Sequence, residues 1–548
     1  MMGPPIARRR NLRTLPMLVN PTRGRACPRR GSVHTAGHEV QCRWVIGKVR
    51  RMTVKMPPPD ARTLASRAQI ASAMREIVPG EGVIDHLDEL APYESDGLTA
   101  YAQRPLLVVL PENTAQISAI LRWCNDHQVK VVPRGAGTSL SGGALPLEDG
   151  ILLGLSRLNR ILEVDYDNRA AVVQPGVTNL AVSQAVAARG FYYAPDPSSQ
   201  IACTIGGNVA ENSGGVHCLK YGMTAHNVLG LKIVLMSGEV LELGGKALDT
   251  PGYDLLGVSI GSEGLLGVVT EVTLRLLVKP QTAQAMLLGF ATVESAAQCV
   301  ADVIAHGIIP AGMEMMDRPA IHAAEDFLGV GYPRDVDALL IVEVDGPEQE
   351  CRHLMELVTG IATRNDATTV RISANEHERL RFWAGRKAAF PAIGRISPDY
   401  YCIDGTIPRR SLPDMLARMT SMAQRYGLRV ANVFHAGDGN LHPLILYDAN
   451  APGELDRAEA FAAEILRTCV AMGGVLTGEH GVGVEKRDLM GEMFNEVDLA
   501  HQERLKCAFD PAMLLNPGKV FPQLHRCAEL GRMHVHRGAV PFPGIPRF

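Results

Sequence analysis

The sequence predicts an α+β protein built in two large parts, and three observations carry that expectation. Residues 105–280 show short β-type runs separated by glycine-rich loops. Residues 283–430 alternate longer amphipathic helices with apolar strands. Residues 434–521 gather histidines, glycines and acids at spacings that suit chemistry better than packing. With 46% hydrophobic and 21% charged residues, the 548-residue chain can bury a large core and is no disordered or fibrous polymer. No window holds the roughly 18 apolar residues of a membrane span, and Lys232 interrupts even the apolar run 228–235.

Taken in order, residues 1–55 hold 13 Lys and Arg against one acid, Glu39, a net charge of +12 that leaves −15 on the rest. An acidic body argues against nucleic acid as a partner, because phosphate neutralisation needs a basic face. The basic segment, assigned to 1–56, has no apolar period and is read as translated upstream sequence, with a start near Met52 or Met56. A proline-rich linker follows, then a helical pattern to Ile77. Strands are expected at 106–110, 129–132, 151–155, 170–173, 228–235 and 268–277, with a helix at 114–127; a further strand is expected at 339–344. Eleven scattered cysteines form no C-x-x-C pair, which disfavours an iron–sulfur cluster or structural zinc and suits reduced thiols in the cytoplasm.

Three glycine-rich loops interrupt the first part. The first contains Pro133, Arg134, Gly135, Ala136, Gly137, Thr138, Ser139, Gly142 and Gly143 after an expected strand. Its glycines free backbone N–H groups to face a phosphate. It is no nicotinamide-type turn, since Leu140 stands where the third glycine of G-x-G-x-x-G belongs. The second runs from Pro197 and Ser198 through Thr204 to Gly206, Gly207, Asn208, Asn212, Ser213, Gly214 and Gly215; the third holds Glu263 and Gly264 and enters a strand at Val268 and Val269. Singly each is turn chemistry. Together on β scaffolding they suit an extended dinucleotide.

The run from Arg429 to Tyr447 reads as two strands about a Gly-Asp-Gly turn. Seven residues separate His435 from His442, which on one straight strand would face opposite sides, whereas a hairpin brings them together. Glu479 and His480 follow between glycines, so a His₂Glu set suits zinc or another divalent ion. His480, with an ordinary pKa near 6.5, is suited to accept a proton. Arg386 and Lys387 lie on an expected helix that ends before Pro391.

The motifs P-R-G-A-G-T-S-L-S-G-G-A, P-D-P-S-S-Q-x-x-C-T-I-G-G-N-V-A-E-N-S-G-G and G-S-E-G-L-L-G-V-V-T-E resemble the flavin-binding domain of the vanillyl-alcohol oxidase type. Within it the chain is most similar to the FAD-containing subunits of bacterial glycolate oxidases, with D-lactate and D-2-hydroxyglutarate dehydrogenases as near relatives. The resemblance covers almost everything after Met56, including the tail 524–548. It implies a two-part FAD-binding domain at 57–282, a ferredoxin-like antiparallel cap at 283–480, and a C-terminal segment, 481–548, returning to the FAD domain. It implies FAD on the three loops, with Asn516 added, and bound non-covalently, because Thr138 occupies the place of the flavin-linking histidine of some members. The resemblance further implies His435, His442 and Glu479 as ion ligands, His480 as base and Arg386 as the clamp for a substrate carboxylate, where a bidentate fork is apt. Cys402 stands near a lysine of the hydroxyglutarate-type relatives, which favours a short monocarboxylate over a dicarboxylate. The implied activity is oxidation of glycolate to glyoxylate by hydride transfer to flavin. The implied partners are a smaller FAD-domain subunit and an iron–sulfur subunit, with peripheral attachment at the cytoplasmic face of a membrane. The rivals are a D-lactate or other D-2-hydroxy-acid dehydrogenase, a non-catalytic flavin relay subunit, and a sugar or aromatic-alcohol oxidase.

Overall fold

The computed structural model describes residues 56–247 and 252–522; the basic segment 1–55 and the tail 524–548 lie outside the described residues. The first sheet is four strands in the order Val83–Ile84, Leu107–Val109, Gly150–Gly154, Lys130–Arg134, its last three mutually parallel. Leu107–Val109 and Gly150–Gly154 are buried throughout, as strands covered on both faces must be. One cover is the helix Thr114–Asp126, whose N-terminus is capped by the Asn113 side chain accepting from Gln116 N. Ile117, Ile120, Leu121 and Cys124 recur at helical spacing and bury one stripe. At about 1.5–3 kcal/mol per large apolar side chain, that stripe outweighs the modest propensity of the sequence for helix.

A second sheet of five antiparallel strands follows, in the order Ile161–Asp165, Ala170–Val173, Val268–Arg275, Val228–Val234, Val240–Gly244. The first loop leaves Lys130–Arg134 and the third enters Val268–Arg275, whereas the second follows the short strand Phe191–Tyr192, which pairs with Leu277–Val278.

The cap is a nine-stranded antiparallel sheet. Its path runs Ala367–Ile372, Thr282–Phe290, Ala338–Gly346, Gly312–Asp317, Arg429–His435, Asn440–Leu441, Gly405–Thr406, with Pro443–Tyr447 joining Arg429–His435 to Asp399–Cys402. Along Thr282–Phe290, Met286, Leu288 and Phe290 enter one core while Ala285 and Leu287 enter another. Both faces are therefore roofed by helices, which is why residues 285–290 of the strand carry no polar side chain. Val293–Ala305, Glu348–Arg364 and Leu412–Tyr426 pack on the first face, Arg318–Leu328 and Glu376–Ile393 on the second.

The helix at Glu376 does not stop before Pro391, as expected, but continues to Ile393 with the proline inside it. Proline's fixed φ is helical, and its position in the last turn sacrifices a single bond to the Lys387 carbonyl. Beyond the helix Glu496–Phe509 the chain returns to the first sheet: Val131 N donates to Leu514 O (2.9 Å) and Asn516 N to Val131 O (2.7 Å). This covers the open edge of Lys130–Arg134. Among the described residues no helix is long and apolar enough to cross a membrane.

Candidate active site: a glycine-walled cavity beside an imidazole and carboxylate cluster

The three loops and the cap enclose a cavity of about 560 Å³, a size typical of cofactor sites. Of the residues expected to cradle the cofactor, all line it except Gly142, Asn212, Gly214, Gly215 and Asn516. Those five shape the walls instead. A Cβ on Gly142 would overlap Val484, and Asn212, at φ +53°, caps a short helix while its Oδ1 accepts from Ala225 N. Asn516 Nδ2 ties Gly143 O to Glu263 O (3.1 and 2.7 Å), whereas Gly214 and Gly215 border a second cavity of about 360 Å³. Gly137 is one position where glycine is required: φ is +70°, and a Cβ would overlap the Arg134 guanidinium.

His442, Glu479 and His480 from the C-terminal half line the same cavity. The hairpin expected from the sequence accounts for the histidines: the His435 and His442 ring centroids are 5.0 Å apart, and His442 stacks on His480 at 4.8 Å. Glu479 Oε1 lies 3.2 Å from His435 Nε2 and 3.3 Å from His442 Nε2. The ligand atoms of His435, His442 and Glu479 all lie within 4.8 Å of one another.

Glu314, unnoticed in the sequence, is the cross-strand neighbour of His435 and accepts from its Nδ1 at 2.6 Å. A carboxylate there fixes the tautomer and leaves Nε2 for a ligand, as in many metal sites. His442 Nε2 and His480 Nδ1 are buried without an aligned hydrogen-bond partner. Orphaned imidazole nitrogens beside a carboxylate fit a divalent ion.

Electrostatics follow from this crowding. Burial opposes charge on His435, but Glu314 and Glu479 outweigh it and hold the ring well above the usual histidine range. Burial would likewise raise Glu479, yet His435, His442 and His480 hold it at about 2. His480 goes the other way: burial pushes it down to about 4, more than Asp404 restores. It is therefore a neutral imidazole at neutral pH.

Arg386 departs from the expectation of a free fork. It is 1% exposed and lines neither cavity, and its Nε and Nη2 face Glu314 Oε2 at 2.9 and 2.8 Å. The helix offers Lys387, Phe390 and Pro391 to the glycine-walled cavity instead. A helix turns about 100° per residue, so Arg386 and Lys387 point in different directions. Likewise Tyr400 lines the cavity, whereas Cys402 is buried with its thiol toward Ile403 O.

A dinucleotide-sized cavity walled by glycine loops, with buried imidazoles and carboxylates at one end, defines a flavin-dependent oxidoreductase. The chain belongs to the FAD-linked oxidases: residues 105–244 match the FAD binding domain family and 279–520 the family of FAD linked oxidases, C-terminal domain. It is 58% identical over 482 residues to the glycolate oxidase subunit GlcD of Escherichia coli (strain K12), covering 88% of this chain and 97% of that protein. A D-lactate dehydrogenase of Anaerostipes hadrus is 31% identical over 463 residues, with 82% and 97% covered. In fold it is similar to 4-ethylphenol oxidase from Gulosibacter chungangensis, with a TM-score of 0.71, 18% identity, and 86% and 100% of the two chains covered. The cofactor is FAD.

Proposed function

We propose that this protein oxidises glycolate to glyoxylate as the flavin subunit of a glycolate oxidase. The observation that carries the reading is that His442, Glu479 and His480 open onto the cavity walled by the FAD-binding loops. The identity to the Escherichia coli protein named glycolate oxidase subunit supports the substrate. FAD, when bound, supplies the acceptor for the substrate's C2 hydride. His435, His442 and Glu479 would hold a divalent ion, which would supply Lewis-acid polarisation of the 2-hydroxyl.

The remaining work belongs to the chain. The loops at Gly135–Gly137, Gly206–Asn208 and Glu263–Gly264 hold the cofactor non-covalently, Thr138 offering no linkage. His480, neutral and with Nδ1 unpartnered, takes the hydroxyl proton. Glu314 holds His435 in register. Arg386 is the proposed clamp for the carboxylate through Nη2, which is ion-paired to Glu314 Oε2 at 2.8 Å without an aligned hydrogen bond. Arg386→Lys is expected to raise KM for glycolate about tenfold or more, with a smaller effect on kcat, because an ammonium can serve Glu314 or the substrate but not both. Steady-state kinetics on glycolate check this; an unchanged kcat/KM removes Arg386 from the role.

No metal-ligating group of three among the described residues includes a cysteine, so the electrons go on to oxygen, a quinone or a partner. An iron–sulfur subunit and a smaller FAD-domain subunit are the partners proposed, at the cytoplasmic face of a membrane. Anaerobic titration of the yellow protein with glycolate, D-lactate and L-lactate tests the function. The flavin band is expected to bleach with glycolate at the highest kcat/KM. Overlap with D-lactate is expected, since one methyl is worth only about 1–3 kcal/mol of discrimination. A flavin that no 2-hydroxy acid bleaches overturns the reading.

A further inference from the structure

Asp404 stands between the strands Asp399–Cys402 and Gly405–Thr406 and is fully buried. Its oxygens accept from Thr477 Oγ1 (2.6 Å), from Gly478 N (2.9 Å), from Glu479 N (3.1 Å) and from His480 N (2.9 Å). Lys486 Nζ adds a charged donor at 3.2 Å and also donates to Gly481 O and Thr477 Oγ1. Three consecutive backbone N–H groups thus converge on one side chain, a concavity that suits an anion. The last two residues of that run, Glu479 and His480, also line the cavity.

Asp404 also lies within ligand-sharing range of His442 and His480. A carboxylate has about four lone-pair positions, and the donors above already use them. That leaves none for an ion. The cap therefore holds the segment through Asp404, while Glu263 on the flavin side accepts from Val482 N and Gly483 N, both at 2.7 Å. The glycines around it leave the segment little stiffness of its own: Gly481 and Gly483 have φ of +80° and +51°.

We propose that Asp404 is a positioning residue for the reaction: by gathering the 478–480 N–H groups it aims Glu479 at the ion and His480 at the substrate hydroxyl. The inference rests on the ion-and-imidazole reading above.

The test uses the full-length, FAD-loaded protein with zinc as the probe, titrated against a chromophoric chelator without substrate. Asp404→Asn turns one oxygen into a donor facing donors. It is expected to keep the flavin spectrum, to weaken zinc binding by about 10–100-fold, and to lower kcat by a similar factor while KM for glycolate moves less than about threefold. Thr477→Val removes one donor only and is expected to weaken zinc about threefold; it carries the test if Asp404→Asn does not fold. Wild-type zinc affinity in the folded variants overturns the role of Asp404 alone, since a merely structural residue would shift the melting temperature and leave the ion untouched. A wild-type protein that binds no divalent ion overturns the ion reading and this inference with it.

Discussion

With His480 replaced by Asn, the purified protein is expected to stay yellow and to lose about two to four orders of magnitude in the rate of flavin reduction by glycolate. The side chain is similar in size and can still donate a hydrogen bond, so the cavity wall survives. What disappears is the basic nitrogen. Burial keeps His480 unprotonated down to about pH 4, and its Nδ1 has no protein partner that would compete for the incoming proton. Rapid mixing under anaerobic conditions isolates this half-reaction from reoxidation. Reduction at the wild-type rate would mean that the proton goes elsewhere.

Glu479→Gln is expected to be as severe by another route. Glu479 is the only carboxylate of the His435, His442, Glu479 set, and an amide in its place leaves two neutral donors for a divalent cation. Outer-shell partners are worth about 10–100-fold in metal affinity, and a ligand carrying the balancing charge is worth more. The variant is expected to be purified without stoichiometric metal and with turnover near that of chelated wild type. Added zinc should restore the chelated wild type and not the variant. Metal analysis beside glycolate turnover checks both, and full activity in a metal-free wild type would remove the ion from the reaction.

Much of this arrangement was legible in the sequence because it is local. The helix expected at 114–127 is Thr114–Asp126, and the strand expected at 170–173 is Ala170–Val173. The turn at Asp438 brings His435 to His442 because strand period and hairpin return are short-range rules. Glu314 and Asp404 escaped notice for the opposite reason. Glu314 lies within a strand and Asp404 between two, and their partners are far off in sequence, 121 residues for His435 and 73 to 82 for Thr477 and Lys486: Glu314 meets His435 only through strand register. A charged residue among the buried methionines of Gly312–Asp317 is itself the signal, since an acid there must be paired. The pairing of Arg386 with Glu314 is hidden in the same way. Its partner belongs to a strand that helix periodicity cannot reveal.

The return of the C-terminal segment to Val131 has a consequence for the order in which the molecule is made. Asn516 hydrogen-bonds the Gly143 carbonyl across 373 residues of chain, and Leu514 and Leu515 complete the core beneath the first sheet. The nucleotide-holding layer begins early on the ribosome yet is closed only once residues 514–516 have emerged. A chain that stops before Leu514 lacks the stitch that closes the edge of its first sheet.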